Sequence, residues 1–116
     1  MATTFIDTHQ CPRARLASRQ GEMAEILNKA LCGAESVTGM LRWLGQGERF
    51  DAEPRPDRHQ LIYLMEGDGV IRLAGEDYAV TKGAGVYLGP SESASIAHAG
   101  TAGLKLFHLE VRANAG

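Results

Sequence analysis

Long apolar runs, cysteines and an excess of basic charge are all scarce in this 116-residue chain, and each scarcity excludes a class of protein. No stretch approaches the roughly 20 apolar residues that cross a bilayer, so the sequence predicts a soluble protein without membrane contact. Acidic and basic residues are interspersed and the net charge is −2. This argues against a nucleic-acid partner, because phosphate backbones select broad positive surfaces. The basic cluster Arg13, Arg15 and Arg19 is interpreted as a solvated N-terminal face.

Cysteine occurs only at Cys11 and Cys32. Together with the lack of an apolar signal segment, this pair fits a reduced, cytoplasmic protein better than a disulfide scaffold. The two positions do not have the Cys-x-x-Cys spacing of a redox or zinc site. We therefore expect two free thiols that pack as small hydrophobic side chains.

The length suits one domain, which buries roughly 65% of the surface that its extended chain would expose. Residues 1–36 are predicted to form an N-terminal arm and edge segment, residues 37–112 the body, and residues 113–116 a tail. Within the arm, Glu22–Leu31 is ambiguous because its apolar residues also follow helical spacing. We interpret it as a strand.

From Val37 onward, short apolar runs alternate with glycine, proline and acidic turns, which is typical of an antiparallel sandwich or barrel. A hairpin is predicted at residues 74–77, where Gly75 can adopt a positive φ. The sequence thus predicts an all-β domain. Its predicted strands are Val37–Leu44, Gln60–Met65, Val70–Leu73, Tyr78–Thr81, Gly85–Leu88, Ser93–Ala97 and Leu104–Val111.

The strand from His59 to Met65 is apolar on both faces. Gln60, Ile62 and Leu64 share one face because side chains alternate along a strand. A small barrel can enclose only one face, so the other requires a cover. We expect a homodimer, with Trp43 in the core or at the dimer interface.

One stretch carries a family resemblance. Leu61–Gly69, followed by Gly75–Tyr78 and Lys82-Gly83, resembles the small single-domain cupins of the RmlC-like jelly-roll type, over about residues 37–112. The resemblance implies a double-stranded β-helix, or jelly-roll, barrel with the N-terminal segment as an arm. The first cupin motif is a glycine, five residues, His-x-His, three or four residues, a glutamate, six residues and a glycine. The spacing from Gly47 to Gly67 fits this motif.

The resemblance also implies a metal site, but the ligand positions of this chain are altered. Glu53 and Arg55 stand at the two histidines of the first motif, and Gln60 stands at its glutamate. Counted from Gly83, Ala94 stands at the histidine of the second motif and His98 at its asparagine. A guanidinium has no lone pair for a metal and alanine has no donor. The metal motifs are therefore degenerate, and no cofactor is expected.

Three functions compete. The first is binding of a small polar or anionic metabolite in the barrel mouth without the usual metal, in which Arg55 clamps a carboxylate or phosphate. Alternatively, Glu53 and Arg55 form only a surface ion pair on a loop. The candidate ligand-binding residues are Glu53, Arg55, Gln60, Ile62, Ile96 and His98.

The second function is an isomerase or lyase acting on a sugar-like or carboxylated substrate. It would use His98 or His108 with Glu53 as a general acid and base, or a divalent transition metal at a relocated site. The candidate ligands of that site are Gln60, His98, His108 and Glu53. The third function is an accessory one, in which the barrel serves as a dimeric partner of another protein. Fold analogy alone does not decide among the three.

Overall fold

The computed structural model describes residues 5–33 and 35–113, which form ten strands and one short helix. The strands are β1 Ala14–Arg15, β2 Glu22–Leu27, β3 Val37–Leu44, β4 Arg49–Ala52, β5 Arg58–Glu66, β6 Asp68–Leu73, β7 Glu76–Thr81, β8 Gly85–Leu88, β9 Ala94–Ala99 and β10 Leu104–Arg112. Helix α1 covers Lys29–Cys32, and Thr8–Gln10 forms a 3₁₀ turn. Among the described residues, no helix is long and apolar enough to cross a membrane.

The strands form two antiparallel sheets that face each other. The larger sheet has the order β1-β2-β3-β10-β5-β8 and the smaller one the order β4-β9-β6-β7. From β3 onward the chain passes from one sheet to the other at every connection except the β6–β7 hairpin. The predicted all-β jelly-roll architecture is confirmed.

Every predicted strand from residue 37 onward is present, and Val37–Leu44 and Gly85–Leu88 have the predicted bounds. The predicted hairpin is also present, with its two-residue turn at Ala74 and Gly75, both of which have positive φ. The predicted strand at residues 22–31 ends early. Asn28 caps α1 by accepting a hydrogen bond from the Leu31 amide, which starts a single helical turn. Strand β4 was not predicted, because four residues carry too short an alternation.

The N-terminal arm is held at the edge of the larger sheet, where β1 pairs with β2. Arg13 lies 3.8 Å above the Trp43 ring and 2.6 Å from the Glu22 carboxylate. The cluster predicted as a solvated face therefore contributes to docking the arm. Cys11 and Cys32 are free thiols, as predicted, and Cys11 is buried. Residues 1–4 of the arm and 114–116 of the predicted tail lie outside the described residues.

The apolar core lies between the two sheets. On β5, Ile62 and Leu64 point inward with Gln60, whereas Leu61 and Tyr63 point outward and are exposed, which confirms the predicted alternation. The core residues are Leu44, Phe50, Ala52, Ile62, Leu64, Ile71, Leu88, Ala94, Ile96, Leu104 and Leu106.

The three glycines of the cupin-like spacing, Gly47, Gly67 and Gly83, all have left-handed backbones, with φ of 74°, 88° and 98°. Gly67 sits where the chain leaves β5 for β6. A Cβ at this position would lie 2.6 Å from the Gly103 carbonyl oxygen. The glycine is required here by both its backbone conformation and the close approach of another segment.

Candidate ligand-binding site

A set of polar side chains lies inside the barrel, near the end that the 53–57 loop covers, called here the loop end. Gln60 on β5, His108 and Glu110 on β10, and Arg42 on β3 are between 2% and 8% exposed. They point inward because they follow the same two-residue alternation as their apolar neighbours Ile62, Leu106 and Leu44. We call these four residues the interior cluster.

His108 joins the interior cluster through both ring nitrogens. Arg42 Nε is 3.2 Å from Nδ1, and Gln60 Oε1 is 2.7 Å from Nε2. Because a guanidinium only donates, Nδ1 must accept, so the proton is on Nε2 and is donated to Gln60. The Gln60 amide nitrogen in turn donates to the Glu53 carbonyl oxygen, 3.0 Å away. This pattern fixes one tautomer of a neutral imidazole.

Burial, together with the positive charges of Arg42 and Arg55, lowers the pKa of His108 to about 3. The imidazole is therefore uncharged near neutral pH. Since both nitrogens already have hydrogen-bond partners, it has no free lone pair for a metal ion or for a substrate proton. In this arrangement His108 orients its neighbours.

Arg42 is a buried cation with no carboxylate in direct contact. Its guanidinium lies 3.8 Å above the Phe50 ring, and Nη2 is 3.5 Å from the Met40 sulfur. Burial lowers its pKa to about 10, against the opposing attraction of Glu110. The Glu110 carboxylate is instead bonded to Arg58 Nη1 at 2.9 Å. Within the described residues, no carboxylate oxygen lies within 4.0 Å of Arg42.

Glu53 and Arg55 lie in the exposed loop between β4 and β5. The Arg55 carbonyl accepts from the Ser91 amide at 2.9 Å, which ties this loop to the segment between β8 and β9. The Arg55 charge also acts on His108, as the lowered pKa shows. The structure therefore brings Glu53, Arg55 and Gln60 together at the loop end.

The structure does not bring His98 to the loop end. His98 shares the inner face of β9 with Ala94, as predicted, but four residues of a strand span about 13 Å. Its Nε2 is 2.7 Å from the Ala102 carbonyl oxygen, in the loop that leads to β10 at the opposite end of the barrel. Ile62 and Ile96, predicted as apolar neighbours in the mouth, are 3% and 1% exposed and belong to the core.

The candidate metal ligands are not assembled in the part of the chain that the structure describes. No three His, Cys, Asp or Glu residues there are close enough to hold a metal ion. Glu53, His98 and His108 therefore do not converge, because His98 lies at the far end. At the positions where cupins carry metal ligands, Ala94 packs in the core, and the amide nitrogen and oxygen of Gln60 are both hydrogen-bonded within the protein.

Sequence reasoning missed Arg42 and Glu110 as buried members of the interior cluster. The available signal was the two-residue alternation of each strand. Arg42 occupies the inward position between Met40 and Leu44, and Glu110 follows the inward His108 by two residues. A charged residue in the buried phase of a strand is an informative exception to apolar alternation.

A cavity of about 770 Å³ lies under the N-terminal arm, within the range of roughly 300–1,000 Å³ that is typical of small-molecule sites. Met23 and Glu25 of β2 line it, and these residues pair directly with Arg42 and Met40 of β3. Paired residues of antiparallel strands point to the same face. The cavity thus lies on the inner face of the larger sheet, one strand away from Arg42, although no member of the interior cluster lines it.

Solved structures place the fold among the cupins. A predicted oxalate decarboxylase from Thermotoga maritima superposes with a TM-score of 0.77 at 21% identity, covering 93% of this chain and 98% of that chain. An RmlC-like cupin from Shewanella frigidimarina gives 0.73 at 14% identity, covering 98% and 94%. The polyketide cyclase RemF from Streptomyces resistomycificus gives 0.78 at 11% identity, covering 97% and 83%. At these identities the similarity shows the fold alone.

Within that fold, the chain belongs to the AraC-like ligand binding domain family, whose family model matches residues 40–115. The match includes the interior cluster and the 53–57 loop. A comparison with curated proteins finds no significant match.

Proposed function

We propose that the protein binds a small polar or anionic metabolite at the loop end of its barrel, without the usual cupin metal. The observation that carries this proposal is that Arg55 lies in the loop next to the buried, hydrogen-bonded interior cluster, to which Gln60 belongs. Membership of a family of ligand binding domains supports it. A site of this kind needs no catalytic group, only oriented donors beside an accessible cavity.

The charges at the loop end favour an anionic ligand. Arg42, Arg55 and Arg58 supply three guanidinium groups there, and Glu110 is the buried carboxylate among them. Guanidinium groups bind carboxylates and phosphates through paired N–H donors. Glu53 would act through its backbone, because its carbonyl oxygen fixes the Gln60 side chain.

The enzyme alternative, an isomerase or lyase, is supported by the names of structural neighbours such as a polyketide cyclase. The geometry favours it less. A general base must present a free lone pair to substrate, and both His108 nitrogens are engaged within the protein. The His98–Glu53 pair would have to act across the length of the barrel. We therefore rank ligand binding first.

The test is a thermal-shift screen followed by calorimetric titration, with protein dialysed against EDTA and then returned to metal-free buffer. The panel contains small organic acids, sugar acids and sugar phosphates, each paired with its neutral amide or unphosphorylated form. Arg55→Ala is the binding variant. Arg49→Ala, which removes an exposed arginine from the outer face of β4, is the matched control.

We expect at least one acid to bind the wild type and the Arg49→Ala variant in metal-free buffer. The Arg55→Ala variant should bind it at least tenfold more weakly while unfolding at the same temperature. Binding that requires an added transition metal would favour the metalloenzyme alternative. A panel in which no acid binds, or in which Arg55→Ala binds unchanged, would contradict the proposed function.

A further inference from the structure

We propose that Arg42 is the group that recognises the anion, and that the ligand presents a carboxylate to it. This inference rests on the proposed function and makes it specific. Arg42 is 8% exposed, and within the described residues no carboxylate oxygen lies within 4.0 Å of it, although Glu110 attracts it from farther away. A buried guanidinium without a carboxylate in contact is costly, and a carboxylate bound beside it would offset that cost.

The hydrogen bonds of Arg42 show which edge is available. Nε donates to His108 at 3.2 Å, so the Nε edge is occupied. Nη2 has only the Met40 sulfur at 3.5 Å, and thioether sulfur is a weak acceptor. The described residues give Nη1 no hydrogen bond. The edge formed by Nη1 and Nη2 is therefore free to bind the two oxygens of a carboxylate side by side.

Nη1 is also not completely enclosed by protein atoms. Among the described residues, the one fully enclosed side-chain nitrogen or oxygen without a hydrogen bond is Arg58 Nε. Nη1 of Arg42, which has no partner, is thus not fully enclosed. The cavity lined by Met23 and Glu25 lies one strand away, since Met23 pairs with Arg42. Arg42 does not line the cavity, so a ligand there would extend its acid group past Met23 to reach Arg42.

The surroundings favour a carboxylate on an apolar body over a phosphate dianion. Phe50 covers one face of the guanidinium, and Met40 and Leu106 are its inward neighbours. Such walls leave little room for the hydration that a doubly charged phosphate retains. They accommodate a planar group with one charge. His108 holds the guanidinium in its plane through Nε and so prepares the free edge.

The experiment titrates the full chain with sodium acetate and, separately, with inorganic phosphate, at ionic strength held constant with chloride. Binding is followed by the unfolding temperature and by the Nε–H resonance of Arg42 in ¹⁵N-labelled protein. The variants are Arg42→Met and Arg42→Lys. Arg72→Met is the control, because Arg72 is exposed and already paired with Asp77 at 2.8 Å.

We expect acetate to raise the unfolding temperature of the wild type and of Arg72→Met, and to shift the Arg42 Nε–H resonance with a matching midpoint. Arg42→Met should bind acetate at least tenfold more weakly, and Arg42→Lys should also bind more weakly because a lysine has no paired donor edge. Should Arg42→Met not fold, the wild-type resonance and Arg42→Lys decide the question. An unmoved resonance, or equal binding by the Arg42 variants, would overturn the inference.

The two proposals fail in different ways. An organic acid from the screen that needs Arg55 but binds Arg42→Met normally would leave the proposed function standing and refute Arg42 as the anchor. Acetate that binds through Arg42 while no metabolite on the panel binds would support the anchor and contradict the proposed metabolite site. Stronger binding of phosphate than of acetate would refute the carboxylate assignment.

Discussion

At the scale of single residues, His108 links the interior cluster to the acid stability of the protein. Its pKa in the folded chain is about 3, whereas an unfolded histidine has a pKa of roughly 6.5. Between these values the unfolded chain binds a proton that the folded chain does not. The contribution of His108 to the free energy of unfolding is therefore fully present above about pH 6.5 and declines as the pH falls toward 3.

We expect the wild type to lose about 2–3 kcal/mol of unfolding free energy between pH 7 and pH 4.5 through this one group. The His108→Gln variant, which cannot titrate in that range, should show a correspondingly smaller loss. His9→Gln is the control, because the His9 side chain is 97% exposed. Urea unfolding at a series of pH values measures the difference. Parallel curves for wild type and His108→Gln would contradict the assigned neutral state.

At the scale of elements, the corner between β5 and β6 depends on Gly67. Two features oppose a side chain here. The backbone has a φ of 88°, and a Cβ at this position would lie 2.6 Å from the Gly103 carbonyl oxygen. We expect Gly67→Ala to cost at least about 2 kcal/mol of unfolding free energy. Gly103→Ala, where a Cβ meets nothing within 4 Å, should change stability by less than about 0.5 kcal/mol. Denaturant melts of the two variants compare them directly, and equal losses would refute this account.

The elements were predictable where local pattern decides them. Alternation located the β5 strand and its inward Gln60, and glycine spacing located the corner at Gly67. The position of a residue along the barrel was harder to predict, because His98 is on the predicted face but lies a strand length from Gln60. The hydrogen-bond partner of a buried residue was harder still to predict. The Arg42–His108 bond joins residues 66 apart in sequence, and only the pairing of β3 with β10 brings them together.

At the scale of the whole molecule, the outer face of the larger sheet supports the predicted homodimer, which remains a proposal, as does the predicted cytoplasmic location. Leu61, Tyr63, Met65 and Tyr87 are 38%, 43%, 37% and 61% exposed on this face. His59 Nδ1 lies 2.6 Å from the Tyr87 hydroxyl and extends the same surface. Exposed apolar surfaces of this kind commonly mark association sites.

We expect the wild type to sediment as a dimer and Tyr63→Asp to sediment as a folded monomer, because a charge would be buried in the interface. Tyr78→Asp is the control, since Tyr78 is 46% exposed but belongs to the smaller sheet. Sedimentation velocity at several protein concentrations distinguishes the two states. A monomeric wild type, or a Tyr78→Asp variant that dissociates equally, would exclude this face as the interface.

The place of β10 in the larger sheet has a consequence for biosynthesis. β10 lies between β3 and β5 and pairs with both, yet it is translated after all the other described strands. Until it leaves the ribosome, no described strand links the β2–β3 pair to the β5–β8 pair, and the interior lacks Leu104 and Leu106. Pairing between such distant segments is slow, and the waiting strands are exposed to aggregation. The nascent barrel therefore cannot close strand by strand, and the interior cluster is complete only when residues 104–112 emerge.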